Sequence, residues 1–253
     1  HFLRGNFAES ERILTSGLAL VEGSEKYDVV ASLHNRLGAL AYQRRAYDEA
    51  IQHVSRSLAL REMFGDLSGV ARLHNNLGLL SMMAGKFAEA EEYFFQGINL
   101  LKKVGDAEGI VLANINIGLV KFDRGDLSAA RTFLEEARLR AEQIDHRFYL
   151  ALACLYLGRL KSALEQFQES EKLLEFSYRE FEALGSKDNL IDTIQYIIEN
   201  SLASGMLSKA ETLINEAQQA MKDKHSAGSD SAVQLGRLLR LQGMLARQKG
   251  DYP

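Results

Sequence analysis

The stretch from Leu73 to Phe94, LHNNLGLLSMMAGKFAEAEEYF, has a near copy forty residues upstream, where Leu33 to Val54 reads LHNRLGALAYQRRAYDEAIQHV. A chain that repeats at a fixed step is built from one supersecondary unit stacked on copies of itself. Stepping by forty from Gly85 lands on Gly5, Arg45, Gly125, Glu165 and Gly205. Two residues on, the position is bulky: Phe7, Tyr47, Phe87, Leu127, Phe167 and Leu207. Five on, it is small: Ser10, Ala50, Ala90, Ala130, Ser170 and Ala210. Nine on, it is apolar: Leu14, Val54, Phe94, Leu134, Leu174 and Ile214. Seven before the anchor, glycine recurs at Gly38, Gly78, Gly118 and Gly158, with Ile198 the exception.

These columns describe a helical hairpin. Leu73, Leu77 and Leu80, then Phe87, Ala90, Phe94 and Ile98, follow helical spacing. Glycine at the anchor permits a tight reversal with positive φ. Small residues mark where two backbones approach, and Gly78 is expected to face Ala90. A second set of breaks, FGD at Phe64–Asp66, VGD at Val104–Asp106 and LGS at Leu184–Ser186, supplies a glycine C-cap and an Asp or Ser N-cap. Each unit is therefore two helices of about 17 residues. One proline in 253 residues, at the last position, agrees with an all-α chain. GRLKSA, from Gly158, imitates the turn motif, but keeping phase puts that turn at Glu165.

Charge and composition remove several classes of function. Net charge is −4, from 30 basic and 34 acidic residues dispersed along the chain, so the basic patch of a nucleic-acid binder is missing. The lone Cys154 excludes an intrachain disulfide and fits a reducing, cytoplasmic setting. No apolar run is long enough to span a bilayer, and the amino end lacks a signal-peptide layout. KDKHSAGSD, at Lys222–Asp230, lengthens one step by five residues and reads as a stretched loop. The expected organisation is a single array over 1–253. A half-unit at 1–22 precedes repeats at about 28–64, 67–104, 107–144, 147–184 and 187–222, and a half-unit at 230–253 follows. Entering and leaving inside repeats, it reads as a piece of a longer array.

In NLGLLSMMAGKFAEAEEYFFQG the residues Leu77, Gly78, Gly85, Phe87, Ala90, Phe94 and Gly97 closely resemble the tetratricopeptide repeat (TPR), and the resemblance runs along the whole chain. It implies a TPR-like, right-handed α-solenoid of antiparallel hairpins. Three departures stand out. The period is 40 rather than 34. The proline that commonly closes a repeat is absent. The aromatic at the fourth position of the first helix is replaced by His34, His74, Asn114, Cys154 and Ile194.

No phosphate loop, dinucleotide fingerprint, H-E-x-x-H or C-x-x-C is present, and nothing in the sequence assembles a nucleophile with a base. An enzyme is not expected, nor a cofactor or a metal. His34 and His74 share a column that the family fills with a packing residue, and Cys154 sits on an apolar face, so both read as packing. The resemblance points instead to a peptide-binding groove on the first helices. Carried over with Gly78 as the eighth position, it implicates Arg72, Asn75, Asn76, Leu79, Met82 and Met83. In the neighbouring units it implicates Asn35 and Tyr42, then Asn116, Leu119 and Phe122, and then Arg159. An Asn amide both donates and accepts, so these asparagines suit either a peptide backbone or a bond to the next repeat. The methionines and Phe122 form an adaptable apolar strip. The expected function is a scaffold that binds a protein partner through a peptide or amphipathic helix. Its rival is the ligand-sensing segment of a larger bacterial regulator. Nucleic acid and membrane are not expected partners, and the sequence leaves the oligomeric state open.

Overall fold

A computed structural model describes residues 7–223 and 229–250, with side chains described except over 220–235. Twelve helices and no strand occur among the described residues. They are α1 (Phe7–Val21), α2 (Tyr27–Gln43), α3 (Tyr47–Met63), α4 (Leu67–Met83), α5 (Phe87–Val104) and α6 (Ala107–Asp123). There follow α7 (Leu127–Gln143), α8 (Arg147–Ala163), α9 (Phe167–Ala183), α10 (Lys187–Ala203), α11 (Leu207–Asp223) and α12 (Ser229–Lys249). The centre of the KDKHSAGSD segment and the chain ends lie outside the described residues.

The turns fall where the period places them. Met83 ends α4, and Gly85 takes φ +74°. The Gly85 amide then donates to the Met82 carbonyl (3.0 Å) and the Lys86 amide to the Ser81 carbonyl (2.8 Å). This paired closure satisfies carbonyls that the last helical turn leaves without partners. Glu165 closes α8 in the same way, its amide on the Ser162 carbonyl (3.0 Å) and that of Gln166 on the Lys161 carbonyl (2.9 Å). The reversal is therefore at Glu165 and not seven residues earlier. Glu165 stands at φ +59°, a left-handed conformation that costs a residue with a Cβ about 1–2 kcal/mol. Glu165→Gly removes that strain and gives back part of the gain as unfolded-chain entropy. It is expected to stabilise the second unit by about 0.5–1 kcal/mol, read as a higher urea midpoint at unchanged slope.

At the other breaks, Asp66 and Asp106 accept from the amides of Gly69 and Gly109, each at 2.8 Å, and so cap α4 and α6. The expected cap from Ser186 is not made. Its hydroxyl accepts instead from Asn189 Nδ2 at 2.9 Å.

The chain divides into two compact units, His1–Phe133 and Leu134–Pro253. In the first, α2 pairs with α3 and α4 with α5, α3 packs on α4, α5 packs on α6, and α4 lies beside α6. One apolar cluster joins Ala41, Val54, Leu58, Val70, Leu77 and Leu80. The next joins Ala71, Ala90, Phe94, Ile98, Ile117 and Val120. In the second unit α8 pairs with α9, and α10, α11 and α12 share a cluster of Ile198, Leu202, Ile214, Leu238 and Leu241. Each such side chain contributes roughly 1.5–3 kcal/mol by leaving water.

The glycine column makes the hairpins close. A Cβ placed on Gly78 would meet Phe94, with the ring carbon Cε1 at 2.5 Å. On Gly38 it would meet Val54 Cγ2 at 2.6 Å, and on Gly158 Leu174 Cγ at 2.7 Å. Over Gly78 the nearest atoms belong to Phe94, while the column of Ala90 also lies close in the sister hairpins, with Ala50 O at 3.2 Å from the added carbon on Gly38 and Ser170 O at 3.4 Å from that on Gly158. A bulky residue nine places past the turn fills the notch left by a glycine seven places before it. No helix among the described residues is long and apolar enough to cross a membrane.

Candidate functional site

In the first unit, α2, α4 and α6 bring three of the four asparagines of interest towards one cavity of about 360 Å³. Asn35 enters it from α2, Arg72, Asn75 and Asn76 from α4, and Leu112 from α6. Helical geometry explains the grouping, since residues 72, 75 and 76 lie at i, i+3 and i+4 and share a face. Arg61 and Asp106 also line it. Arg61 is ion-paired with Asp66, and Asp106 is occupied as the cap of α6. Hydrogen bonds from the Gly69 amide and Arg61 hold the Asp66 carboxyl below the usual carboxylate range. Arg72 is exposed and makes no hydrogen bond or ion pair with another described residue. It is the cation the cavity holds in reserve.

Asn116 joins from beneath. Its Nδ2 donates to Asn75 Oδ1 at 2.8 Å, bridging adjacent first helices, and the residue is 4% exposed. A buried amide with its bond made is tolerated where an unmet one is costly. The donor and acceptor ends of both amides are assigned from this bonding. The bridge uses the Asn75 oxygen, and Asn75 is also one of the residues that line the cavity. Asn114, two residues earlier, turns back on its own helix to the Ile110 carbonyl at 3.0 Å.

The apolar strip is less open than the sequence suggests. Leu79 and Met82 are half-buried against the cluster around Phe94 and Ile117, and Leu119 and Phe122 are also half-buried. Met83 is exposed and lines a separate cavity of about 450 Å³ with Tyr47, Asp48 and Lys86. Tyr42 is exposed, its ring 6.1 Å from that of Tyr47. Arg159 belongs to the second unit, where its guanidinium lies 5.5 Å from the centre of the Tyr196 ring. The residues gathered in one place are therefore Asn35, Arg72, Asn75 and Asn76, with Asn116 behind them. Arg61 was not singled out by the sequence, and Asp106 only as a helix cap. Their signal is the Phe64–Asp66 and Val104–Asp106 breaks, which return the chain to the mouths of α4 and α6.

Other reactive side chains are occupied by packing. Cys154 is buried, and burial pushes its thiol up to about 12. Burial does the same to Tyr156, also to about 12. His74 is 7% exposed against Tyr93, and burial lowers its pKa. Its Nδ1 has no hydrogen-bond partner. No group of three or more His, Cys, Asp or Glu among the described residues is placed to hold a metal ion.

Stacked helical hairpins presenting first-helix side chains to a common cavity define a helical-repeat protein. Residues 28–103 match the model of the tetratricopeptide repeat family. No curated protein matches the sequence. Among solved structures, NprR in complex with its cognate peptide NprX is similar over 99% of this chain and 71% of its own. The TM-score there is 0.71 at 14% identity. A signal-transduction ATPase (STAND) protein with a tetratricopeptide repeat sensor, from Pyrococcus horikoshii, is similar over 99% of this chain and 41% of its own. Its TM-score is 0.72 at 14% identity. The Rap protein complexed with Competence and Sporulation Factor is similar over 88% of this chain and 60% of its own, with a TM-score of 0.71 at 16% identity. These likenesses establish the fold. The chain spans less than two thirds of the Rap and Pyrococcus proteins.

Proposed function

We propose that the chain is a protein-interaction module that takes a peptide along α2, α4 and α6 of its first unit. The cavity that gathers Asn35, Arg72, Asn75 and Asn76 carries this reading. Asn side chains supply the donor and acceptor that a peptide backbone needs, and an uncommitted Arg supplies a charge for an acidic side chain or a carboxylate. Leu79, Met82 and Phe122 offer apolar contact further along the same helices. Two of the similar structures, NprR and Rap, are named as complexes with a peptide or factor, which agrees with this use of the fold. Nothing in the cavity supplies a nucleophile and base, and the role is binding without catalysis.

The test is selection of a random displayed peptide library on the full chain, followed by affinity measurements on the enriched peptides. Arg72→Ala and Asn76→Ala remove partly exposed side chains and are expected to leave stability within about 0.5 kcal/mol. Each should weaken the peptide by about tenfold, the worth of one good hydrogen bond or ion contact. A selection that enriches nothing, or peptides indifferent to both variants, overturns the reading.

A second reading is favoured by the Pyrococcus likeness, since that protein is named for a tetratricopeptide repeat sensor within a larger signalling ATPase. In this reading the same cavity takes a small molecule as the sensing segment of a longer regulator. Saturable binding of a small polar metabolite, abolished by Asn76→Ala and unaffected by selected peptides, would favour it over the peptide.

A further inference from the structure

His34 on α2 and His53 on α3 meet across the hairpin, with the two Nδ1 atoms 3.1 Å apart and the ring centres 5.3 Å apart. The sequence pairs His34 with His74 by column, but the structure pairs it with His53. Packing alone does not require this contact. The equivalent residues of the next hairpin, His74 and Tyr93, touch only through their rings, at 6.0 Å. In α2–α3 the same column places two good ligand atoms face to face.

We propose that His34 and His53 form a two-imidazole chelate for a late first-row divalent ion: Cu²⁺, Ni²⁺ or Zn²⁺. An ion about 2.0–2.1 Å from each nitrogen would see two Nδ1 atoms 3.1 Å apart at about 95–102°. That angle lies between the cis angle of a square-planar site and the tetrahedral angle, so both common geometries are within reach. Without metal, the pair shares a single proton between the facing nitrogens. On binding, that proton moves to Nε2 of its own ring, both Nδ1 lone pairs turn to the ion, and no net proton is released from the neutral pair. Imidazoles must be neutral to ligate. His34 is held below its ordinary value, first by burial and then by the nearby His53 and Arg56, with Glu22 acting the other way. Both rings are only half-buried, which leaves a path for the ion and for the waters that fill its remaining positions.

The experiment is titration of the full chain with CuCl₂, NiCl₂ or ZnCl₂ at pH 7.5 in a non-coordinating buffer, read by calorimetry and, for Cu²⁺, by nitrogen hyperfine structure in its EPR spectrum. One equivalent is expected to bind with two nitrogens. His34→Gln and His53→Gln should each weaken it at least tenfold, since even the groups that orient a ligand are worth 10–100-fold. His53→Tyr copies the residue found at Tyr93 in the next hairpin, so it keeps the fold while removing a ligand. Metal should raise the thermal midpoint of the parent chain and of a His1→Ser/His225→Gln control, and should leave His53→Tyr unmoved. Undiminished affinity in His53→Tyr, or loss of the bound equivalent in the His1/His225 control, overturns the proposal.

Discussion

Gly78→Val is expected to lower the stability of the first unit by about 3 kcal/mol, the upper part of the range for overpacking a core. Even a methyl group at this position would stand 2.5 Å from Phe94 Cε1 and 2.7 Å from Cδ1 and Cζ. Phe94 is 1% exposed and among the largest fully buried side chains, so its ring has no solvent into which to retreat. The opposing effect is real but smaller. Glycine inside a helix costs about 0.5–1 kcal/mol relative to alanine, and replacing it recovers that amount where space allows. At Gly236, in α12, no described side chain or backbone atom stands within 4 Å of the added carbon. Gly236→Ala is thus the matched control and should stabilise slightly, by the propensity term alone. In a domain of this size 3 kcal/mol corresponds to about 6–12 °C in the thermal midpoint. A Gly78→Val protein that melts with the parent would mean that the notch under Phe94 does not set the spacing of α4 and α5.

That notch also shows how far the sequence could be read. The period exposed Gly78 and Phe94 as recurring positions, because a helix crossing constrains residue size at the same place in every repeat. Turns were equally legible, even at Arg45 and Glu165, where no glycine marks them, since phase alone located the reversal. Side-chain pairing between columns was not legible. Phe94 was read only as one of an apolar column, whereas its ring, one turn past Ala90 along α5, fills the space over Gly78. His34 was compared with His74 because they share a column, yet its neighbour is His53, on the other helix of its own hairpin. Contacts across a hairpin depend on helix rotation, which a repeat period leaves undetermined. The grouping of the candidate groove residues was partly legible for the same reason. Asn35, Arg72, Asn75 and Asn76 do converge, while Met83 faces a different cavity and Arg159 stacks on Tyr196 in the other unit. Arg61 went unnoticed, and Asp106 was read only as a helix cap, because both lie at the breaks, outside the positions that the family resemblance implicates.

Asn75→Leu should separate scaffold from site most sharply. Asn116 is buried and Asn75 Oδ1 is its acceptor at 2.8 Å, so the single substitution strands a buried amide and is expected to cost about 1–3 kcal/mol. Adding Asn116→Leu removes the stranded group. Replacing both partners of a hydrogen bond by apolar groups of similar shape is close to neutral, and the double variant should return near the parent's urea midpoint. Peptide affinity should not return with it. Asn75 lines the cavity shared with Arg72 and Asn76, and leucine offers neither donor nor acceptor there. A loss of at least about tenfold, or 1.4 kcal/mol, is expected for selected peptides in the double variant. Recovery of both stability and affinity would make the Asn75–Asn116 bridge a strut between repeats and nothing more. Recovery of stability alone means that one side chain serves two ends, with its oxygen holding α6 to α4 and its nitrogen left for the ligand.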